Sequence, residues 1–127
     1  MKNLKFIFIL SIIFLCFSSC KKNGTGGDAE LRIQVLHHNS AIKNAFAYIR
    51  FDAIEMPANP ESNYDLKIQG NSSDEYIEVK DLRAGQYYVY VVGFDSTINQ
   101  TVKGGIPVEI KWKERKNKLN VLVPVTE

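Results

Sequence analysis

The stretch that decides the fold is residues 76 to 91, which reads YIEVKDLRAGQYYVYV. Apolar and polar residues alternate on both sides of Gly85, and this period of two is typical of strands that bury one face. Gly85 can adopt the positive φ that a tight turn requires. Tyr87 can bury its ring while its hydroxyl bonds to backbone at the corner. The stretch therefore predicts two strands, 75 to 80 and 86 to 93, joined by a short turn.

The same alternation recurs along the chain after residue 29, where no run of ten residues shows the 3.6-residue apolar period of a helix. We expect Trp112 to point inward at the end of the sixth strand and a loop to follow the fifth. Seven short strands in about a hundred residues favour two antiparallel sheets packed face to face. The sequence therefore predicts an all-β, seven-stranded antiparallel β-sandwich, with strands at 31–37, 45–52, 64–69, 75–80, 86–93, 106–112 and 118–125 and a loop at 94–104.

Leu82, Gly85 and Tyr87 follow the spacing Leu-x-x-Gly-x-Tyr between the two alternating runs. This pattern resembles the central motif of carboxypeptidase regulatory-like and Cna-B-like domains, over about residues 31 to 125. The resemblance implies a transthyretin-like, or prealbumin-like, β-sandwich in which the second and fifth strands lie side by side. It implies no particular ligand, because function is carried by sites and not by the fold.

The start of the chain has the form of an export signal. Two lysines precede an apolar run over residues 6 to 17, which is shorter than the ~20 residues that cross a bilayer. The following ending, FSSC at 17 to 20, resembles the lipobox of bacterial lipoproteins, in which the cysteine becomes the first residue and is acylated. We expect a lipoprotein signal peptide at 1–19 and lipid on Cys20. An ordinary secretory leader cut nearby is the alternative.

The residues after Cys20 indicate a tether and a location. Residues 23 to 28 are small, polar and rich in glycine, which predicts a flexible tether at 20 to 28 ahead of a domain at 29 to 127. Lys21 and Lys22 replace both the Asp that marks inner-membrane retention and the acidic cluster of surface-exported Bacteroidetes-type lipoproteins. We therefore expect a lipid-anchored protein at the periplasmic face of the outer membrane, in preference to the cell surface.

Composition excludes several classes of protein. The chain has 127 residues, with 16 Lys and Arg against 14 Asp and Glu, and loss of Lys2 and Lys5 with the leader leaves equal numbers. A neutral domain lacks the basic footprint of a nucleic-acid binder. Neither a Gly-x-Ser-x-Gly elbow nor an HExxH motif occurs in the sequence. The sequence predicts no enzyme, no cofactor and no nucleic-acid partner.

The sequence also argues against a metal site. His37 and His38 are adjacent at a strand end, so their side chains are expected on opposite faces, as solvated loop residues. The carboxylates are scattered singly on loops, and Asp74 with Glu75 is the one close pair. Calcium requires several converging oxygens, so these residues predict a solvated turn.

Four outward aromatic residues provide the candidate binding face: Phe46, Tyr48, Tyr88 and Tyr90. Because the resemblance places the second and fifth strands side by side, the four rings are expected to form one exposed platform. Such a face would stack on sugar rings or pair with another protein. The alternative is a set of ordinary cross-strand pairs that stabilise a sheet.

Two further segments carry weaker signals. Residues 111 to 118 hold five cations and one anion, which suit contact with anionic lipid. A hairpin tip kept soluble by its lysines is the favoured interpretation. The tripeptide Asp95-Ser96-Thr97 resembles the O-glycosylation motif of exported Bacteroidetes proteins, with Ser96 as the modified residue.

These observations favour a non-enzymatic accessory lipoprotein of the bacterial envelope, anchored to the membrane by lipid and in contact with another envelope protein. The alternative function is that of a small carbohydrate-binding lipoprotein whose aromatic face takes a glycan.

Overall fold

The computed structural model describes residues 23 to 127, and the predicted signal peptide and Cys20 lie outside the described residues. Within this range the chain forms two β-sheets and a single 3-10 turn at Trp112–Glu114. The all-β prediction is confirmed. The strands are β1 (Thr25–His37), β2 (Ser40–Ala41), β3 (Phe46–Phe51), β4 (Leu66–Gln69), β5 (Tyr76–Leu82), β6 (Gly85–Asp95), β7 (Gln100–Ile110) and β8 (Lys118–Pro124).

The first sheet is built around β1, which pairs antiparallel with β2 and β5 and in parallel with β8. The second sheet has the order β4-β3-β6-β7 and is antiparallel throughout. The parallel β1–β8 pair departs from the fully antiparallel prediction. The parallel pairing arises because the chain crosses from the second sheet to the first at Trp112, next to the residues that begin β1. β8 therefore starts at the same end as β1 and runs in the same direction.

The core lies between the sheets and consists of the inward residues of the alternating runs. Leu31, Ile33 and Val35 from β1 are buried together with Tyr87 and Val89 from β6. Full burial of one large apolar side chain contributes roughly 1.5 to 3 kcal/mol. In each of the predicted strands 31–37, 45–52, 86–93 and 118–125, one alternating set of apolar residues belongs to this core or packs against it.

Three details of the predicted fold are wrong. β6 continues to Asp95 and β7 begins at Gln100, so most of the loop predicted at 94–104 is strand. Its glycines resemble strand breakers, but Gly104 is needed because a side chain there would collide with the Pro124 carbonyl. Trp112 does not point inward and is 74% exposed, because the chain turns at Lys111. The two-residue β2 is an additional strand, formed by the hairpin that follows β1.

The start of β1 also differs from the prediction. Thr25 already pairs with Leu82, and Ala29 pairs with the same residue, so the residues between them form a bulge. The sequence predicts a flexible tether at 20–28, which includes Gly26 and Gly27. In the structure they are part of a strand, where Gly26 takes a φ of 96° that few other residues adopt.

Candidate functional site

β1 runs between two ends of the sandwich that carry different kinds of side chain. It has 13 residues, which corresponds to a length of roughly 40 Å. The end at which β1 begins carries Trp112 and Arg115, and we call it the anchor end. The end at which β1 finishes carries His37 and His38, and we call it the histidine end.

The anchor end is fastened by the Tyr87 hydroxyl. This hydroxyl donates to the Arg83 carbonyl at 2.6 Å and accepts from the Gly24 N–H at 3.0 Å. The Arg83 N–H donates in turn to the Gly24 carbonyl at 2.8 Å. Burial raises the pKa of the Tyr87 hydroxyl, which therefore keeps its proton for donation. The corner role predicted for Tyr87 is confirmed, with Leu82 fully buried and Gly85 at a φ of 151°.

The exposed Trp112 and the half-buried Arg115 form an amphipathic pair at the same end. The guanidinium carbon of Arg115 lies 4.4 Å from the centre of the Trp112 ring, and Arg115 also donates to the Trp112 carbonyl at 3.0 Å. The neighbouring groove is lined by the bulge of β1, Arg83 and Ala84. The pair combines an apolar ring with a fixed positive charge next to the residues through which the chain enters the domain.

The four predicted aromatic residues meet on one face of the second sheet, but they are not an open platform. β3 and β6 are neighbours, as expected, and Tyr48 lies opposite Tyr90. Tyr48, Tyr88 and Tyr90 are only 8%, 9% and 9% exposed, and Phe46 is half-buried. The rings form a second, smaller core on the outer side of the sheet.

The segment between β3 and β4 accounts for this burial. Ala53 packs against the tyrosine cluster, and the Tyr64 ring lies 5.3 Å from the Tyr48 ring, edge to face. Glu61 accepts a hydrogen bond from Lys103 of β7 at 2.9 Å, which ties the segment to the far strand of the sheet. The sequence does not predict this cover, because an irregular segment with two prolines has no periodicity that indicates where it packs.

The histidine end contains a buried histidine that is hydrogen-bonded to a carboxylate. His37 is 1% exposed, and its Nδ1 lies 2.7 Å from Oδ2 of Asp95. The other oxygen of Asp95 accepts from the hydroxyl and the N–H of Thr97, at 2.6 and 2.9 Å. The Thr97 hydroxyl, followed by His37, lowers the pKa of Asp95 to about 2. The hydrogen bond to Asp95 raises the pKa of His37, although burial opposes this shift.

His38 and Glu127 complete this cluster. The rings of His37 and His38 are 4.1 Å apart between centres, and Oε2 of Glu127 lies 3.5 Å from Nε2 of His37. One ligand atom from each of the three residues lies within 4.8 Å of the others. The prediction of two histidines on opposite faces is wrong, because strand alternation ends at His37 and His38 has the left-handed φ of 47°.

Glu127 is brought to this end by backbone pairing across both sheets. The Val125 N–H donates to the Leu36 carbonyl at 2.9 Å, and Thr126 forms an isolated antiparallel bridge with Lys103 of β7. No sequence signal joins Glu127 to His37, because they are far apart in the chain and meet only through this pairing.

Ser96 lies exposed in the turn between β6 and β7, beside Asp95 and Thr97. Its glycosylation stays a prediction.

Comparison with known proteins identifies no relative: no protein family, no curated protein and no solved structure matches this chain. Among residues 23 to 127, no helix has the length and apolar character needed to span a bilayer.

Proposed function

We propose that this chain is a non-enzymatic, lipid-anchored accessory protein of the bacterial envelope, with a transthyretin-like sandwich held directly against the membrane. The observation that carries this proposal is the position of Gly24. Its N–H donates to the Tyr87 hydroxyl and its carbonyl accepts from the Arg83 N–H, so Gly24 is held against the domain. Four residues lead from Cys20 to Gly24, and an extended chain of that length reaches at most ~14 Å. Acylated Cys20 would therefore keep the anchor end close to the lipid surface.

The chemistry of the anchor end supports this orientation. Trp112 is exposed, and indole rings favour the boundary between lipid and water because one side is apolar and the N–H is polar. Arg115 covers the ring, and Lys111, Lys113 and Lys116 are exposed around it. Each cation near an anionic lipid surface contributes ~1 kcal/mol. In this setting the basic run acts as a membrane contact, while the histidine end points away from the membrane toward an envelope partner.

The transthyretin-like assignment is supported by the Leu82, Gly85 and Tyr87 corner and by the pairing of β3 with β6. The glycan-binding alternative has lost its support, because the segment between β3 and β4 covers the rings that would stack on a sugar. Lys21 and Lys22 after the lipidated cysteine favour the periplasmic face of the outer membrane.

The lipid anchor is tested by expressing the chain with its leader in a bacterium fed an alkyne fatty acid, followed by fractionation and intact mass measurement. The wild type should be labelled, begin at Cys20 and sediment with membranes. Cys20→Ala should lose the label and the added mass. Cys16→Ala is the matched control and should behave as the wild type, because Cys16 lies in the leader. An unlabelled wild type, or a Cys20→Ala variant that is still acylated, would contradict the proposal.

The partner is tested with a photo-crosslinking residue at either end of the anchored protein. At position 39, on the histidine end, it should capture an envelope protein in a discrete adduct. At position 113, on the anchor end, it should capture lipid. Lipid adducts at position 39, or no protein adduct there in intact cells, would count against an accessory role with this orientation.

A further inference from the structure

We propose that His37, His38 and Glu127 form a binding site for one divalent transition-metal ion of the zinc type, such as Zn²⁺, Co²⁺, Ni²⁺ or Cu²⁺. The site lies at the histidine end, and the inference holds whether or not Cys20 is acylated.

The first observation is the unpartnered Nε2 of His37. The ring is almost wholly buried, and within residues 23 to 127 this nitrogen has no hydrogen-bond partner. Its Nδ1 is 2.7 Å from the ionised Asp95, so Nδ1 carries the proton of the neutral ring. Nε2 then presents a lone pair beside the Glu127 carboxylate, 3.5 Å away. Two acceptors this close together are stabilised by a cation between them, which is either a metal ion or a proton on Nε2.

The spacing of the ligand atoms suits a metal ion. Two N or O ligands of a tetrahedral zinc ion, each about 2.0 to 2.2 Å from the metal, lie about 3.3 to 3.6 Å apart. The distance from Nε2 of His37 to Oε2 of Glu127 is 3.5 Å. One ligand atom from each of His37, His38 and Glu127 lies within 4.8 Å of the other two, and the exposed His38 ring is free to close the remaining distance. Three protein ligands leave the fourth position to water or to a group from a partner.

Asp95 supplies the support that a metal-binding histidine requires. Ligating histidines commonly donate their second ring N–H to a carboxylate, which fixes the tautomer and the direction of the free lone pair. Asp95 makes this contact to His37 and is itself held by Thr97. The direction of Nε2 is therefore set by the fold before any ion arrives.

The donor set determines the class of ion. Two imidazole nitrogens and one carboxylate oxygen suit zinc, copper, nickel and cobalt, whereas calcium and magnesium require mostly oxygen ligands. The competing occupant is a proton, which would convert His37 to an imidazolium paired with Glu127. The two possibilities are distinguished by adding metal, because saturable metal binding is expected only if the site is a metal site.

The test is calorimetric titration of the full chain, purified in detergent without a histidine tag and stripped with a chelator, against zinc chloride and calcium chloride. One equivalent of Zn²⁺ should bind saturably at micromolar concentration, and Ca²⁺ should not. Cobalt chloride should give the intense visible absorption of a four-coordinate Co²⁺ ion. His37 is left unchanged in the ligand variants because its burial makes substitution a threat to folding.

His38→Ala and Glu127→Gln should each weaken Zn²⁺ binding by more than the roughly 10- to 100-fold that loss of a supporting second-layer contact costs, and Asp95→Asn should fall within that range. Glu109→Gln is the matched control for charge, since it is exposed on β7 opposite Gln86, at the anchor end. Its affinity should equal that of the wild type.

Absence of saturable Zn²⁺ binding would overturn the proposal and leave the proton as the occupant. Binding that is unchanged in both His38→Ala and Glu127→Gln would overturn it as well, because the ion would then sit elsewhere.

Discussion

Replacement of Tyr87 by phenylalanine removes one oxygen atom from the corner that fastens β1 to the rest of the sandwich. That oxygen donates to the Arg83 carbonyl at 2.6 Å and accepts from the Gly24 N–H at 3.0 Å. Gly24 is buried, and its N–H has no second partner within the described residues. The phenyl ring still fills the same space, so the change tests hydrogen bonding with little effect on packing.

The magnitude follows from these two bonds. A typical intramolecular hydrogen bond contributes about 0.5 to 1.5 kcal/mol, and a buried group left unpaired costs about 1 to 3 kcal/mol. With two bonds lost and the Gly24 N–H left unpaired, we expect Tyr87→Phe to lower the free energy of unfolding by about 2 to 4 kcal/mol. With an unfolding entropy near 2.1 cal/mol/K per residue, a domain of about 105 residues should then lose roughly 9 to 18 °C in Tm.

The assay is thermal and denaturant unfolding followed by circular dichroism, with hydrogen exchange at residues 25 to 29 as a local readout. Tyr64→Phe is the matched control, because Tyr64 is 38% exposed and should change stability by less than about 0.5 kcal/mol. Exchange over 25 to 29 should accelerate in Tyr87→Phe alone. A Tyr87→Phe variant that melts within about 2 °C of the wild type would refute the fastening role of the hydroxyl.

Three further outcomes are expected. In a chelator, Tm should be highest between pH 3.8 and 6.5. The lowered pKa of Asp95 stabilises the fold above pH 3.8, and this stabilisation is lost as pH falls toward about 2; the raised pKa of His37 stabilises the fold below pH 6.5, and that stabilisation is lost as pH rises through the folded-state pKa. When Tm is measured from acid to alkaline pH, Asp95→Asn should show a weaker loss of Tm in acid, and an unchanged loss would contradict the pairing of Asp95 with His37. Tyr48→Ala should cost about 3 to 5 kcal/mol in urea unfolding, as for a core aromatic residue, whereas a neutral result would mean that the ring is not covered. Gly85→Ala should cost about 1 to 3 kcal/mol in the same assay because its φ of 151° is strained for a residue with a side chain, and full stability would contradict the turn conformation.

Much of the fold could be predicted from local pattern, because strand alternation directly encodes which residues face a core. Leu31, Ile33 and Val35 are buried where the period of two places them, and Tyr87 forms the corner that its spacing from Leu82 suggests. The position of β3 beside β6 came from the resemblance and not from the alternation.

The predictions failed where a distant part of the chain determines the outcome. Alternation places Tyr48 and Tyr90 outward correctly, but it contains no information on the segment that folds over them. Glycine is typical of loops, so Gly104 argues against a strand in the sequence. In the structure Gly104 lies within a strand, and the close approach of the Pro124 carbonyl from the last strand explains why no side chain fits there.

The site formed by His37, His38 and Glu127 was not predicted from the sequence for a similar reason. The period-two rule assigns His38 to the face opposite His37, yet one positive φ angle turns it back beside its neighbour. Glu127 arrives through pairing with β1 and β7, which no short motif reports.

We propose that a lipid on Cys20 holds the anchor end against the membrane, and Trp112 reports on this contact directly because it is the only tryptophan in the chain. The measurement is Trp112 fluorescence of the acylated protein reconstituted in vesicles with and without brominated acyl chains. If the anchor end contacts the membrane, the Trp112 emission should be blue-shifted and quenched by brominated lipid, and Cys20→Ala should abolish both effects. Emission typical of water-exposed tryptophan, unquenched by brominated lipid in the acylated protein, would contradict this contact.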